Sequence, residues 1–209
     1  MRRALLDIIK LNGIGFASNT YILTSGNESA VIDPSADLDS IRSSVGNSTI
    51  KYILLTHGHF DHIMTLDDLA EATDADVLIH KDDMKMPADT SINASDFFGL
   101  NIFSSCTVHG LSDGDKIRLG YEEITLISTP GHTPGSVCYD CGEFIVCGDT
   151  LFTHGYGRYD LPGGNPHVLF ASLQKLANIK RDPMIHPGHG ASCALSDADI
   201  IRAIRKNNF

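Results

Sequence analysis

The chain has 209 residues, 42% of them apolar, and a formal net charge of −10. That composition is ordinary for a globular protein, and no apolar run reaches the length that crosses a bilayer. No block of Lys or Arg precedes the mixed Arg202, Arg205 and Lys206 at the carboxyl end, so the basic footprint that a nucleic-acid substrate demands is missing. Neither a membrane nor a nucleic acid is expected as partner, whereas a small anion held by a local Arg is compatible with the charge.

In Met1 to Lys10 the basic Arg2 and Arg3 precede some apolar residues, but Asp7 and Lys10 interrupt any signal-peptide core. A cytoplasmic location is therefore expected. Apolar patterning predicts strands over 4–11, 19–24 and 29–33, a helix over 37–45, and a buried strand at 50–55, Ile-Lys-Tyr-Ile-Leu-Leu. The pattern then breaks into Thr56-His57-Gly58-His59-Phe60-Asp61-His62. Apolar residues resume at helical spacing from Ile63 through Leu66, Leu69 and Ala70, predicting a helix over 65–73 and a strand-to-helix loop before it.

No packing requirement assembles three imidazoles and a carboxylate within six residues, and this stretch reads as a dinuclear metal site. On such a loop His57 and His59 can converge on one ion, while Asp61 and His62, at the start of the helix, turn toward a neighbouring one. Borderline imidazoles with a hard carboxylate suit zinc, iron or manganese better than calcium or copper. One motif cannot close two sites, so further donors must come from downstream.

A strand is predicted at 76–79, an unassigned stretch covers 81–103, and strands follow at 115–119 and 121–129. The last stops at Thr-Pro-Gly-His132-Thr-Pro-Gly-Ser, where two Pro and two Gly stiffen the loop that presents His132. Strands at 136–139 and 143–147 form a hairpin turning at Asp140 to Glu143, and the second runs into Gly148-Asp149-Thr150. A helix over 166–179 starts at Asn165 as cap with Pro166 in its first turn. A strand at 183–186 leads into His186-Pro187-Gly188-His189-Gly190, and a helix covers 197–206. His132, Asp149 and His189 thus each follow a strand, as the first motif does. His80, His109, His154, His167 and His186 are left outside the donor set, His186 as an ordinary loop histidine.

The five cysteines are an odd number without a secretion signal, which points to reduced thiols. Cys138-Tyr139-Asp140-Cys141 lacks the second pair that a zinc knuckle requires and reads as part of the hairpin.

Asn19 to Leu23, Ala30 to Pro34, T-H-G-H-F-D-H, T-P-G-H-T-P-G-S, C-G-D-T-L-F and P-G-H-G together resemble the metallo-β-lactamase superfamily, and within it the glyoxalase II (hydroxyacylglutathione hydrolase) type. The resemblance implies an α/β fold, a four-layered αββα sandwich, as one domain over 1–209, with metals at the edge where the strand-end loops meet. It assigns His57, His59 and His132 to one ion, Asp61, His62 and His189 to a second, and Asp149 as a bridge. Two divalent transition-metal ions are expected, zinc first, with iron or manganese as alternatives.

The implied activity is hydrolysis of small acyl thioesters by a hydroxide bridging the ions, with Asp61 also orienting that water; a thiolate can depart without a strong general acid. Glyoxalase II holds glutathione partly with a carboxyl-terminal helical domain and with a Tyr soon after its last histidine ligand. Here Gly190-Ala191-Ser192 follows His189 and only twenty residues remain, so the chain resembles short forms of the family. The Gly-rich stretch 153–164 occupies the place of the substrate loop, and Arg158 and Tyr156 are candidates for gripping an anionic thioester. Two rivals stay open: a persulfide dioxygenase with one iron on His57, His132 and Asp149, and a non-enzymatic metal-binding protein.

Overall fold

The computed structural model describes residues 6–206. The first five residues, which include the start of the strand expected over 4–11 and the basic amino terminus, lie outside the described residues. The chain builds two six-stranded sheets in sequence order. One contains β1 (Asp7–Leu11), β2 (Thr20–Ser25), β3 (Glu28–Ile32), β4 (Thr49–Leu54), β5 (Asp76–His80) and β6 (His109–Leu111). The other contains β7 (Lys116–Leu119), β8 (Glu122–Ser128), β9 (Val137–Asp140), β10 (Phe144–Gly148), β11 (Met184–Pro187) and β12 (Cys193–Ala194). Pairing is parallel from β3 to β6 and between β10 and β11, and antiparallel elsewhere.

Because side chains alternate across a strand, adjacent residues enter different layers. Tyr21, Leu23, Ala30, Ile32 and Leu54 face Leu126, Val137, Tyr139 and Val146 between the sheets. Their neighbours Ile22, Val31, Ile53 and Leu55 pack outward with Ile41 of α1 (Leu38–Val45) and Leu66 and Leu69 of α2 (Leu66–Glu71). On the other outer face Cys138, Ile145, Cys147 and Ile185 meet Leu169, Leu173 and Leu176 of α3 (Pro166–Ala177) and Ile201 of α4 (Asp199–Arg205). Burial of both faces of each sheet gives the four layers αββα. Asn165 caps α3 by accepting from the His167 and Val168 amides, with Pro166 in the first turn.

The expected strands and helices are present, with ends shifted by a few residues. The sequence pattern misses β6 and β12, of three and two residues, which are too short to carry a period. The stretch 81–103 contains two 3-10 turns in otherwise irregular chain. Asp61 and His62 do not begin α2, as the spacing suggested. They occupy a separate 3-10 turn at Phe60–His62, and α2 starts four residues later. The hairpin closes with Cys141 N–H donating to Phe144 O, and the five cysteines are free thiols. No described helix is long and apolar enough to cross a membrane.

Candidate metal centre

The donors gather where β3, β4, β8, β10 and β11 end. His57 Nε2, His59 Nδ1 and His132 Nε2 converge with mutual separations of 2.9, 3.1 and 3.2 Å. Three imidazole nitrogens cannot all hydrogen-bond one another with one proton per neutral ring. Tetrahedral zinc with bonds of 2.0–2.1 Å sets nitrogens about 3.3 Å apart, so the observed triangle suits one ion. Beside it, His189 Nε2 lies 3.1 Å from Asp61 Oδ2, and His62 Nε2 lies 3.9 Å from Asp61 Oδ2 and 3.4 Å from Asp149 Oδ1. Asp149 Oδ2 is 3.7 Å from both His132 Nε2 and His189 Nε2, placing this carboxylate between the two groups. Every one of the seven side chains expected as donors belongs to a cluster with metal-holding geometry.

Orphaned atoms test the fit independently. Buried polar groups normally have partners, yet among the described residues His59 Nε2, His62 Nε2 and Asp149 Oδ1 have none, Ser18 Oγ being the other exception. Two of these three belong to the group around Asp149 and face each other across 3.4 Å. A cation between them would supply what His62 Nε2 and Asp149 Oδ1 lack, whereas His59 enters the first triangle through Nδ1.

The protonation pattern agrees. Burial, reinforced by the neighbouring histidines, pushes His57 far down, and burial with His132 lowers His59 to about 3. Both rings are therefore neutral, the form that binds a metal. Burial opposes ionisation of Asp61 and Asp149, but the surrounding histidines, His62 foremost, hold both below the usual carboxylate range. Burial likewise opposes charge on His62, and Asp33, Asp149 and Asp61 override it, raising that ring well above its ordinary value. Two of these carboxylates, Asp61 and Asp149, approach His62 Nε2, beside the position a second ion would fill.

Several residues that position the donors were not expected from the sequence. Asp33, just beyond β3, is buried with φ of 50°, in the left-handed region that Asp tolerates better than most side chains. Its carboxylate accepts from Thr56 N at 2.8 Å, Thr56 Oγ1 at 2.7 Å and His62 Nδ1 at 2.8 Å. Since the Thr56 hydroxyl proton goes to Asp33, its oxygen accepts from His57 Nδ1–H at 3.1 Å. His132 Nδ1–H donates to the Arg158 carbonyl at 2.6 Å. Each bond fixes a tautomer and leaves Nε2 with a lone pair for a metal. Asp83, in the 3-10 turn after β5, accepts from Gly58 N, Thr133 Oγ1 and Gly135 N at 3.3, 2.6 and 2.7 Å, tying the first histidine loop to the one presenting His132.

Two glycines permit the close approach. The register of β10 on β11 slips between Val146 and Gly148, a bulge that aims the next side chain, Asp149. Gly148 there has φ of 48°, and a Cβ would overlap the Thr56 side chain. A Cβ on Gly188 would overlap Asp149 Oδ1 and crowd His62 Cε1.

The centre opens into a cleft of about 730 Å³ that Tyr156 and Arg158 both line. The Arg158 guanidinium is engaged within its own loop: Nε and Nη2 each donate to Asp160 at 2.8 Å. His186 lies on β11 in ring contact with Tyr21 and Phe144 and hydrogen-bonded to Ser192, apart from the donors.

A family model described as "Metallo-beta-lactamase superfamily" matches residues 13–189, and the chain belongs to that superfamily. Within it, the chain is 34% identical to the probable metallo-hydrolase YqgX of Bacillus subtilis (strain 168), over 92% of each chain. It is 30% identical to a hydroxyacylglutathione hydrolase of Salmonella typhi, over 87% of this chain and 66% of that protein. The fold is similar to the BLEG-1 B3 metallo-beta-lactamase, with a TM-score of 0.86 and 26% identity over 93% of this chain and 99% of the other. It is also similar to TTHA1623, crystallised in a di-iron-bound form, with a TM-score of 0.79 and 32% identity over 90% and 96% of the two chains.

Proposed function

We propose that the protein is a dinuclear metal-dependent hydrolase of small acyl thioesters. The observation that carries this reading is the convergence of His57, His59 and His132 beside Asp61, His62 and His189, with Asp149 between them, at the floor of an open cleft. When bound, two divalent cations supply a water activated near neutral pH and polarise the carbonyl it attacks. Asp61, whose Oδ2 lies 3.1 Å from His189 Nε2, would help to orient that water. Asp33, Thr56 and the Arg158 carbonyl hold the His62, His57 and His132 imidazoles in the tautomers that keep their Nε2 lone pairs inward.

Among the residues lining the cleft, no His, Asp, Glu or Cys lies outside the seven donors. A thiolate leaving group suits such a site because it needs no prior protonation, whereas an amine does. The similarity to a hydroxyacylglutathione hydrolase supports the thioester class. A second complete donor group favours two ions over the single iron of a dioxygenase on His57, His132 and Asp149, and the di-iron form of TTHA1623 is in line with this.

The test is thiol release from S-lactoylglutathione and simpler acyl thioesters by metal-replete protein, with oxygen uptake and β-lactam opening followed in parallel. Thiol release that stops on chelation and ignores oxygen is the expected result. Oxygen consumption with glutathione persulfide, or efficient lactam opening, with thioesters left intact would replace this reading.

A further inference from the structure

Resting on the hydrolase reading, we infer that the substrate is selected by apolar bulk rather than by negative charge: an uncharged thioester carrying an aryl or medium-length alkyl group beside its carbonyl. Apart from the donors, the cleft is walled chiefly by Phe16, Phe60, Phe98, Leu100, Phe152 and Leu161. Four aromatic rings run in series, with Phe16 to Phe60 at 6.0 Å, Phe60 to Phe98 at 5.4 Å and Phe98 to Phe97 at 5.3 Å between centroids. The inner ring, Phe60, is buried, while Phe16 and Phe97 are each 63% exposed and Phe98 is 49% exposed. Exposed apolar surface of this extent, continuous with a concave site, marks a place where an apolar ligand group displaces water.

The polar side of the cleft supports the same class. Arg158 is the sole Lys or Arg among the described lining residues. Its guanidinium is held bidentate by Asp160 and lies over Phe97 and Phe98 at 5.5 and 5.8 Å. Its charge is paired and its cation lies against the aromatic wall, so it extends an apolar cleft rather than standing as a receptor for an anion. A chain of net charge −10 adds nothing to attract one. Asp160 thereby becomes a specificity determinant for a reaction it does not touch.

The experiment compares kcat/KM for acetyl, hexanoyl, phenylacetyl and succinyl thioesters of one neutral thiol, N-acetylcysteamine, and for acetyl thioesters of benzyl mercaptan and glutathione. Hexanoyl, phenylacetyl or benzyl members should exceed the succinyl and glutathione members by about tenfold or more. Phe98→Ala should lower the phenylacetyl-to-acetyl ratio at least fivefold, a ratio that loss of folded protein cannot move. Asp160→Asn should release Arg158 and raise the succinyl-to-hexanoyl ratio about fivefold. A flat series, a preference for the charged members, or ratios unmoved by these substitutions overturns the inference while leaving the hydrolase reading intact. Calorimetric binding of inert analogues with methylene in place of sulfur separates the two in the other direction. If the phenylacetyl analogue binds about tenfold tighter than the succinyl one and no thioester is turned over, the selectivity stands and the hydrolase reading falls.

Discussion

Replacing Asp33 by Asn isolates the hydrogen bond that orients His62. The substitution preserves volume and one acceptor: Oδ1 still accepts from Thr56 N–H, and the amide donates to the Thr56 hydroxyl. What it cannot do is accept the His62 Nδ1 proton at 2.8 Å. The ring then moves its proton to Nε2, the atom 3.4 Å from Asp149 Oδ1 and 3.9 Å from Asp61 Oδ2, and loses the lone pair it would give an ion. Removing such a supporting partner costs about 10- to 100-fold in metal affinity, on the order of 1.4–2.7 kcal/mol. His57 and His132 keep their own supports, although Thr56 links His57 to the same carboxylate, so the first ion should weaken less. Elemental analysis after dialysis and a competitive chelator titration should find about one equivalent retained and the second lost. Two equivalents bound within twofold of the parent affinity would refute the tautomer argument.

Asp149→Ala should lower bound metal by more than one equivalent, because the carboxylate stands 3.4 to 3.7 Å from donors of both groups; elemental analysis showing one ion in the parent and no further loss in the variant would contradict a bridge. In Gly188→Ala the new methyl would overlap Asp149 and crowd His62, so metal affinity should fall at least about tenfold while circular dichroism keeps the folded signature. His186, lowered to about 4 chiefly by burial, should be neutral in the native protein where the unfolded chain, with its ordinary pKa near 6.5, takes up a proton. Stability is then full above the unfolded value and falls as pH drops from about 6.5 toward 4; an NMR titration of this ring with a midpoint above 6 would remove that contribution. Tyr139→Phe should cost about 1 kcal/mol in urea unfolding, since the buried hydroxyl donates to Leu55 O across the sheets at 2.9 Å; an unchanged midpoint would mean that this bond contributes nothing net.

Much of the centre was legible because its donors obey a local rule. Each of His57, His59, Asp61, His62, His132, Asp149 and His189 follows an apolar run that ends in Gly, Pro or Thr, and dense imidazoles are rare without a metal. The strands at 50–55 and 143–147 were readable from apolar runs, and α3 from its Asn-Pro start, since these signals lie within a few adjacent residues. Asp33 and Asp83 were not legible. An Asp after a strand reads as a turn residue, and only packing reveals that one accepts from Thr56 and His62, 23 and 29 residues away, and the other from Thr133, 50 residues away. The state of Arg158 was hidden for a different reason. Asp160 lies two positions along, yet whether the pair forms or the fork stays open depends on how the loop seats the guanidinium over Phe97 and Phe98. Sequence named the candidate donors through local pattern and residue chemistry, and the four layers through the family resemblance. Tertiary structure alone decided which lone pairs point inward, which charges are already compensated and how apolar the cleft is, because those properties belong to contacts between distant segments.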